Sequence, residues 1–149
     1  MTTVKEMLEI KGAEVWSILG SQSVYEAVEL MAAKEVGALI VVNTEGRLVG
    51  IVSERDYARK VILQNKSSKE TQIAAIMTRN VTFVGPATTA DTCMALMSQN
   101  NIRHLPVVEE GRPTGMITVA DLLKFIIQDQ EMTIEELQSY IQGETGGEG

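Results

Sequence analysis

Cysteine, histidine, aromatic residues and long apolar runs are all scarce in this chain, and each scarcity removes a class of protein. The 149 residues include one cysteine, one histidine and three prolines, with 4% aromatics. A lone Cys93 forbids an internal disulfide, and together with a lone His104 it is too little for a dedicated zinc site. No apolar run approaches the roughly 20 residues that span a bilayer, and residues 1–12 lack the basic-then-apolar pattern of a secretory signal. A soluble chain is expected, in the cytoplasm or an organelle matrix, with no membrane partner. Basic residues are also few: 13 Lys and Arg stand against 20 Asp and Glu, a net charge of −7. Six of those acids and no base fall in residues 129–149, so the rest of the chain is close to neutral. A body without a basic excess argues against nucleic acid as a partner, though it leaves room for locally basic pockets.

What the chain has is repetition. Gly50-Ile51-Val52-Ser53-Glu54-Arg55-Asp56 is answered 65 positions later by Gly115-Met116-Ile117-Thr118-Val119-Ala120-Asp121. The glycine, hydroxyl and carboxylate fall in register, and so do the turn glycines Gly46 and Gly111. Upstream the offset is 66: Val24, Ala27, Val28, Leu30 and Met31 map onto Ala90, Cys93, Met94, Leu96 and Met97. One residue is therefore lost between Val42–Gly46 and Val108–Gly111. Two copies of one structural unit follow. A copy of roughly 60 residues buries too little surface to be more than marginal alone, so the pair should pack together.

Each copy reads as a short strand, a helix, two strands and a helix. In the first, Glu14–Ile18 is extended, and Ser23-Val24-Tyr25-Glu26 is a helix-capping pattern followed by apolar residues at helical spacing. Ala38–Val42 and Arg47–Val52 read as strands about the turn Thr44-Glu45-Gly46, and Ser53 opens a helix to about Leu63. The second copy gives Val81–Val84, a helix over Thr89–Gln99, strands Leu105–Val108 and Thr114–Ile117, and a helix from Thr118. Pro106 has no amide hydrogen and needs a position that does not require one. A capped helix over Thr133–Ile141 is expected, with an apolar face of Ile134, Leu137 and Ile141, before a glycine-rich tail, Gly143–Gly149. The spacing of Met31, Met94, Met97 and Cys93 assigns them to the core.

The doubled Gly-x-x-Ser/Thr-x-x-Asp carries the chemistry. A hydroxyl at a helix start lies among amides that lack intrahelical partners, where the helix dipole favours an anion such as phosphate. A carboxylate three residues on cannot welcome phosphate, but it can accept hydrogen bonds from a ribose diol. The same pattern is also an ordinary helix cap, and a single copy would carry little weight.

With Val36–Val42 before the first motif, and Ile102-Arg103-His104-Leu105-Pro106-Val107-Val108 before the second, the chain resembles a tandem pair of CBS (cystathionine β-synthase) domains. The resemblance covers about residues 8–130. It implies an α/β fold, α+β in some schemes, of two βαββα repeats about a pseudo-twofold axis, with a short C-terminal helix. The implied units are 8–66, 72–130 and a C-terminal 131–149. It also implies an adenine-nucleotide sensor for AMP, ADP or ATP, with NAD or NADH as an alternative. Another alternative is a ligand-independent module regulating a thioredoxin-type or other partner.

Carried over residue by residue, Ser53 and Thr118 would touch phosphate, and Asp56 and Asp121 ribose. Arg103 and His104 match a basic pair that reaches phosphate, where the first copy has the neutral Gly37 and Ala38. The backbone at Val15 and Val81 would meet adenine, Arg55 would stand at the ligand, and Lys11 would approach the first cleft. Arg59 and Lys60 read as a solvated face. Trp16 reads as packing at an interface rather than stacking on a base. A homodimer and a regulated partner protein belong to the same implication. No catalytic residue is expected, since neither a Gly-x-Ser-x-Gly elbow nor a cysteine-protease context surrounds Ser53, Cys93 or His104.

Overall fold

The slip from an offset of 66 to one of 65 resolves at two hairpins. The computed structural model describes residues 2–128 and residue 138. In it, β2 (Ala38–Val42) turns into β3 (Leu48–Ser53), and β4 (His104–Glu109) turns into β5 (Arg112–Thr118). Asn43 donates its amide to the Arg47 carbonyl, closing a three-residue loop that ends on Gly46 at φ +80°. In the second copy Glu109 pairs with Arg112, so the loop is only Glu110-Gly111, both at positive φ. These are two common ways of closing a hairpin, and they differ by one residue. Asn43 and Glu109 correspond at 66, Arg47 and Arg112 at 65. The missing residue lies between them.

The helices repeat more faithfully. α2 (Val24–Lys34) and α4 (Ala90–Asn100) start on Ser23 and Thr89, whose hydroxyls accept the amides of Glu26 (3.1 Å) and Thr92 (3.3 Å). The Glu26 carboxylate accepts from Gln22 Nε2 instead of completing a capping box. Both helices end on a left-handed residue, Glu35 or Asn101. Val24, Ala27 and Met31 are buried in one, and Ala90, Cys93 and Met97 in the other, as the spacing predicts; Met94 is half-buried. The helix expected from Ser53 forms as α3 (Glu54–Tyr57) and continues as a π-helical turn, Ala58–Ile62, to its cap at Leu63. Its counterpart, α5, runs from residue 119 to 128.

The front strands differ, and Pro106 gives the reason. β1 (Ser17–Leu19) pairs in parallel with β2, and the Ile40 amide donates to the Trp16 carbonyl at 3.2 Å. Pro106 occupies the position equivalent to Ile40 and has no hydrogen to donate. The strand expected over Val81–Val84 accordingly shrinks to a single bridge, Val84 with Val107. Pro106 still serves as an acceptor there, since its carbonyl takes the Val84 amide at 3.0 Å.

A further helix, α1 (Val4–Lys11), precedes the elements read from the sequence. Val4 and Met7 are fully buried, in the second copy's core with Val84, Cys93, Leu105, Ile117 and Leu122. Conversely Ile73, Ile76 and Met77, from the connection between the copies, are buried in the first copy's core with Ile18, Leu39 and Val52. Each core is thus completed by the segment that leads into the other copy. The hairpin tips also interlock: Arg112 Nη1 donates to the Glu45 carbonyl at 2.7 Å, and Leu48 donates its amide to Gly111 O at 3.0 Å. The Arg47 guanidinium lies against Gly111 as that of Arg112 lies against Gly46. Apart from Gln138, the expected C-terminal helix and tail lie outside the described residues.

Candidate functional site

Both motifs stand at strand-to-helix junctions, where β3 passes into α3 and β5 into α5. Ser53 pairs across its hairpin with Ala38, and Thr118 pairs with His104. At the first motif Ser53 donates its amide to Asp56 Oδ2 (2.9 Å), and Asp56 returns its own amide to Ser53 Oγ (3.2 Å), a complete capping box. Ser53 Oγ also donates to Asp56 Oδ2 at 3.1 Å. At the second motif Thr118 donates its amide to Asp121 Oδ2 (2.9 Å), and Asp121 donates to Thr118 Oγ1 (3.1 Å). The next amide of each helix, Glu54 or Val119, donates to Gly37 O or Arg103 O at 3.0 Å. Most donors that the sequence argument offered to phosphate are therefore engaged within the protein. The amides of Arg55 and Ala120 stand outside these bonds.

Each carboxylate also has a lysine, and the two lysines come from different places. Lys60 Nζ, one turn along the same helix, lies 3.1 Å from Asp56 Oδ1 and donates to Ile76 O at 2.8 Å. Lys11 Nζ, from the end of α1, lies 2.6 Å from Asp121 Oδ2 and donates to Met116 O at 2.7 Å. Burial opposes ionisation of Asp121, but the bond from Lys11, the Thr118 amide and the Lys11 charge outweigh it and hold the carboxyl below its ordinary value. Both Asp56 oxygens are engaged. Asp121 Oδ1 has no hydrogen bond among the described residues.

His104 sits where the two copies meet. A Cβ on Gly37 would stand 3.7 Å from its Cε1 and Nε2. Burial pushes the imidazole below its ordinary pKa of 6.5; Glu54 and Asp121 pull it up, while Arg103 and Lys11 push it down. At neutral pH the charge of the Arg103-His104 pair thus rests on the exposed Arg103. Gly37, Glu54, Lys11, Arg103, His104, Thr118 and Asp121 form one neighbourhood built from both copies. Ala38, Ser53 and Asp56 belong to the other motif, with Arg55 exposed beside them. Val15 and Val81 are half-buried ahead of β1 and of the Val84 bridge. Lys11, expected at the first cleft, is tied instead to the second motif.

Lys60, expected on a solvated face, is half-exposed yet pairs with Asp56, four residues back, a spacing that itself signals such a pair. Cys93 is fully buried, and burial pushes its thiol up to about 11, which leaves it no nucleophilic character near neutral pH. Trp16 packs against the first core under the Lys34 ammonium, 4.3 Å from the ring centre. Among the described residues no cluster of His, Cys, Asp or Glu could hold a metal ion, and no helix is long and apolar enough to cross a membrane.

Two interlocked α/β repeats, each presenting a hydroxyl and a carboxylate at a helix start, define a paired-repeat module. The family is equally definite. The chain belongs to the CBS domain family, whose model matches residues 4–63 and 73–128. It is 36% identical over 151 residues to the CBS domain-containing protein CBSX3, mitochondrial, of Arabidopsis thaliana, covering 95% of this chain and 73% of that protein. A CBS-domain protein from Burkholderia ambifaria superposes with a TM-score of 0.82 at 46% identity, covering 87% of this chain and 96% of that one. The CBS domain pair of protein MJ0100, in complex with 5′-methylthioadenosine and S-adenosyl-L-methionine, gives a TM-score of 0.77 at 30% identity over 87% of this chain and 98% of that one.

Proposed function

We propose that this chain is a regulatory module, without catalysis of its own, that binds an adenine nucleotide (AMP, ADP or ATP) at its paired motifs. The observation that carries the reading is Asp121 Oδ1. It is an ionised carboxylate oxygen with no hydrogen bond among the described residues, on a side chain 18% exposed, beside Thr118 and a lysine. Such an oxygen suits a ribose hydroxyl, and the cationic surroundings suit a phosphate. The adenosine-containing ligands of MJ0100 support the same class. On this reading the second motif is the better site, because Asp56 has both oxygens engaged. Ligand binding would alter how the two copies sit together, or how a homodimer is arranged, for a partner protein to read.

A rival reading has its own support. The completed capping box at Ser53 and Asp56 supports a purely structural role for this motif, as in a ligand-independent interaction module. Calorimetry and thermal shift with AMP, ADP, ATP, NAD, NADH and S-adenosylmethionine separate the two. A ligand at a hundredfold excess over its Kd stabilises the native state by about 2.7 kcal/mol. Asp121→Ala should weaken the preferred ligand roughly ten- to a hundredfold. Titrations unchanged in both Asp56→Ala and Asp121→Ala would leave the motifs as helix caps only, and preference for NADH over AMP would make the module a redox-state sensor.

A further inference from the structure

The two copies neutralise their motif carboxylates by different means. In the first copy the cation is Lys60, on the motif's own helix, and in the second copy that position is Phe125, buried in the core. The residue ahead of the front strand shows the reverse exchange. Met77 packs on Gly50 of the first copy, and its equivalent at offset 66, Lys11, reaches the second copy's Asp121. An ammonium has three donors. Those of Lys11 include one to Asp121 and one to Met116 O, and its side chain is still 27% exposed.

We infer that Lys11 is a specificity-determining residue of the second cleft, selecting adenosine ligands that carry an anionic 5′ group over neutral ones. The inference rests on the nucleotide-binding reading. The Asp121 carboxylate that suits a ribose diol repels a phosphate held one sugar away, and an opposite charge 2.6 Å from it cancels that repulsion. The remaining Lys11 donor then adds a charge-assisted bond to the phosphate. A neutral 5′ substituent gains from neither effect.

The test is calorimetric titration of the full chain with AMP and with adenosine, in wild type, Lys11→Gln and Lys11→Arg. Glutamine keeps donors for Met116 O and Asp121 but removes the charge, and arginine keeps the charge. Lys11→Gln should weaken AMP about tenfold or more at one site and leave adenosine within about threefold, while Lys11→Arg keeps the preference for AMP. Equal losses for AMP and adenosine, or no loss for AMP, would overturn the inference. A wild-type protein that binds neither ligand would instead sink the nucleotide reading beneath it. Should Lys11→Gln unfold, Lys11→Arg decides: loss of the wild-type AMP-over-adenosine ratio in a folded, charge-retaining variant also refutes selection by charge.

Discussion

Gly50→Ala tests whether each motif glycine serves the segment that crosses from one copy to the other. A Cβ at residue 50 would stand 2.6 Å from Met77 Sδ, 3.1 Å from its Cγ and 3.0 Å from the Thr78 carbonyl oxygen. That carbonyl cannot retreat easily, because Thr78 and Ile51 exchange backbone bonds of 2.9 and 3.0 Å. At Gly115 the nearest atoms are only the branch ends of Leu8, at 2.7 and 2.9 Å on a half-buried side chain that can rotate. Neither glycine has a positive φ, so alanine brings no backbone strain and regains about 0.5–1 kcal/mol of the glycine's entropic penalty. Overpacking costs about 1–3 kcal/mol. The balance predicts that Gly50→Ala loses about 1–2 kcal/mol, with Gly115→Ala within about 1 kcal/mol of wild type. Equilibrium urea denaturation measures both. Met77→Ala leaves space that the new methyl can partly fill, so Gly50→Ala and Met77→Ala together should couple favourably by about 0.5 kcal/mol or more. Additivity in that cycle, or Gly50→Ala as stable as Gly115→Ala, would refute the packing argument.

Two further predictions concern the helix end and the imidazole. Glu35 holds a left-handed conformation (φ 55°, ψ 44°) where the second copy uses Asn101, so Glu35→Asn should raise the urea-unfolding free energy by about 0.5–1 kcal/mol, and a fall would contradict the account of that cap. His104 has a folded pKa below the ordinary 6.5, so the unfolded chain takes up its proton first and stability falls as pH drops below 6.5. His104→Gln should flatten the denaturation midpoint between pH 7.5 and 5.5, and an unchanged slope would show that the imidazole titrates normally.

Most of the fold was legible because it is local and doubled. The helix starts at Ser23 and Thr89, the strand Ala38–Val42, the turn glycines and the buried methionines follow from capping chemistry and periodicity acting over a few residues. What was not legible depends on partners distant in sequence. Nothing in Val4–Lys11 announces that Met7 completes the second copy's core, since the pairing spans about a hundred residues. Val81–Val84 reads as a strand by composition and fails because its neighbour at Pro106 lacks one hydrogen. At the site, the positions of Ser53, Asp56, Thr118 and Asp121 could be read, because each motif is a local helix start. The partners of the two carboxylates could be read only in part. Lys60 was visible at helical spacing, whereas Lys11 reaches Asp121 across 110 residues.

Cap and ligand site need not be competing roles for the same side chains. A capping carboxylate is fixed by its helix: the Thr118 amide and Lys11 both hold Asp121 through Oδ2, so Oδ1 is oriented before any ligand arrives. Preorganisation of this kind lowers the ordering cost of binding. At Asp56 Lys60 takes the second oxygen as well, so a ribose there must displace an ion pair between side chains on one helix. At Asp121 the paired lysine lies at the end of α1, one residue before Gly12 and the passage into β1 of the other copy. On the proposed reading, a ligand that pulled on Lys11 would act on the chain between the second core, which buries Met7, and the first core, which buries Ile18. At the first motif the tie is less direct: Lys60 stays on the motif's own helix and meets the connecting segment only through the Ile76 carbonyl. Sequence equivalence of the two motifs thus coexists with unequal wiring: at the second the lysine itself belongs to the segment that joins the copies, and at the first it only donates to that segment.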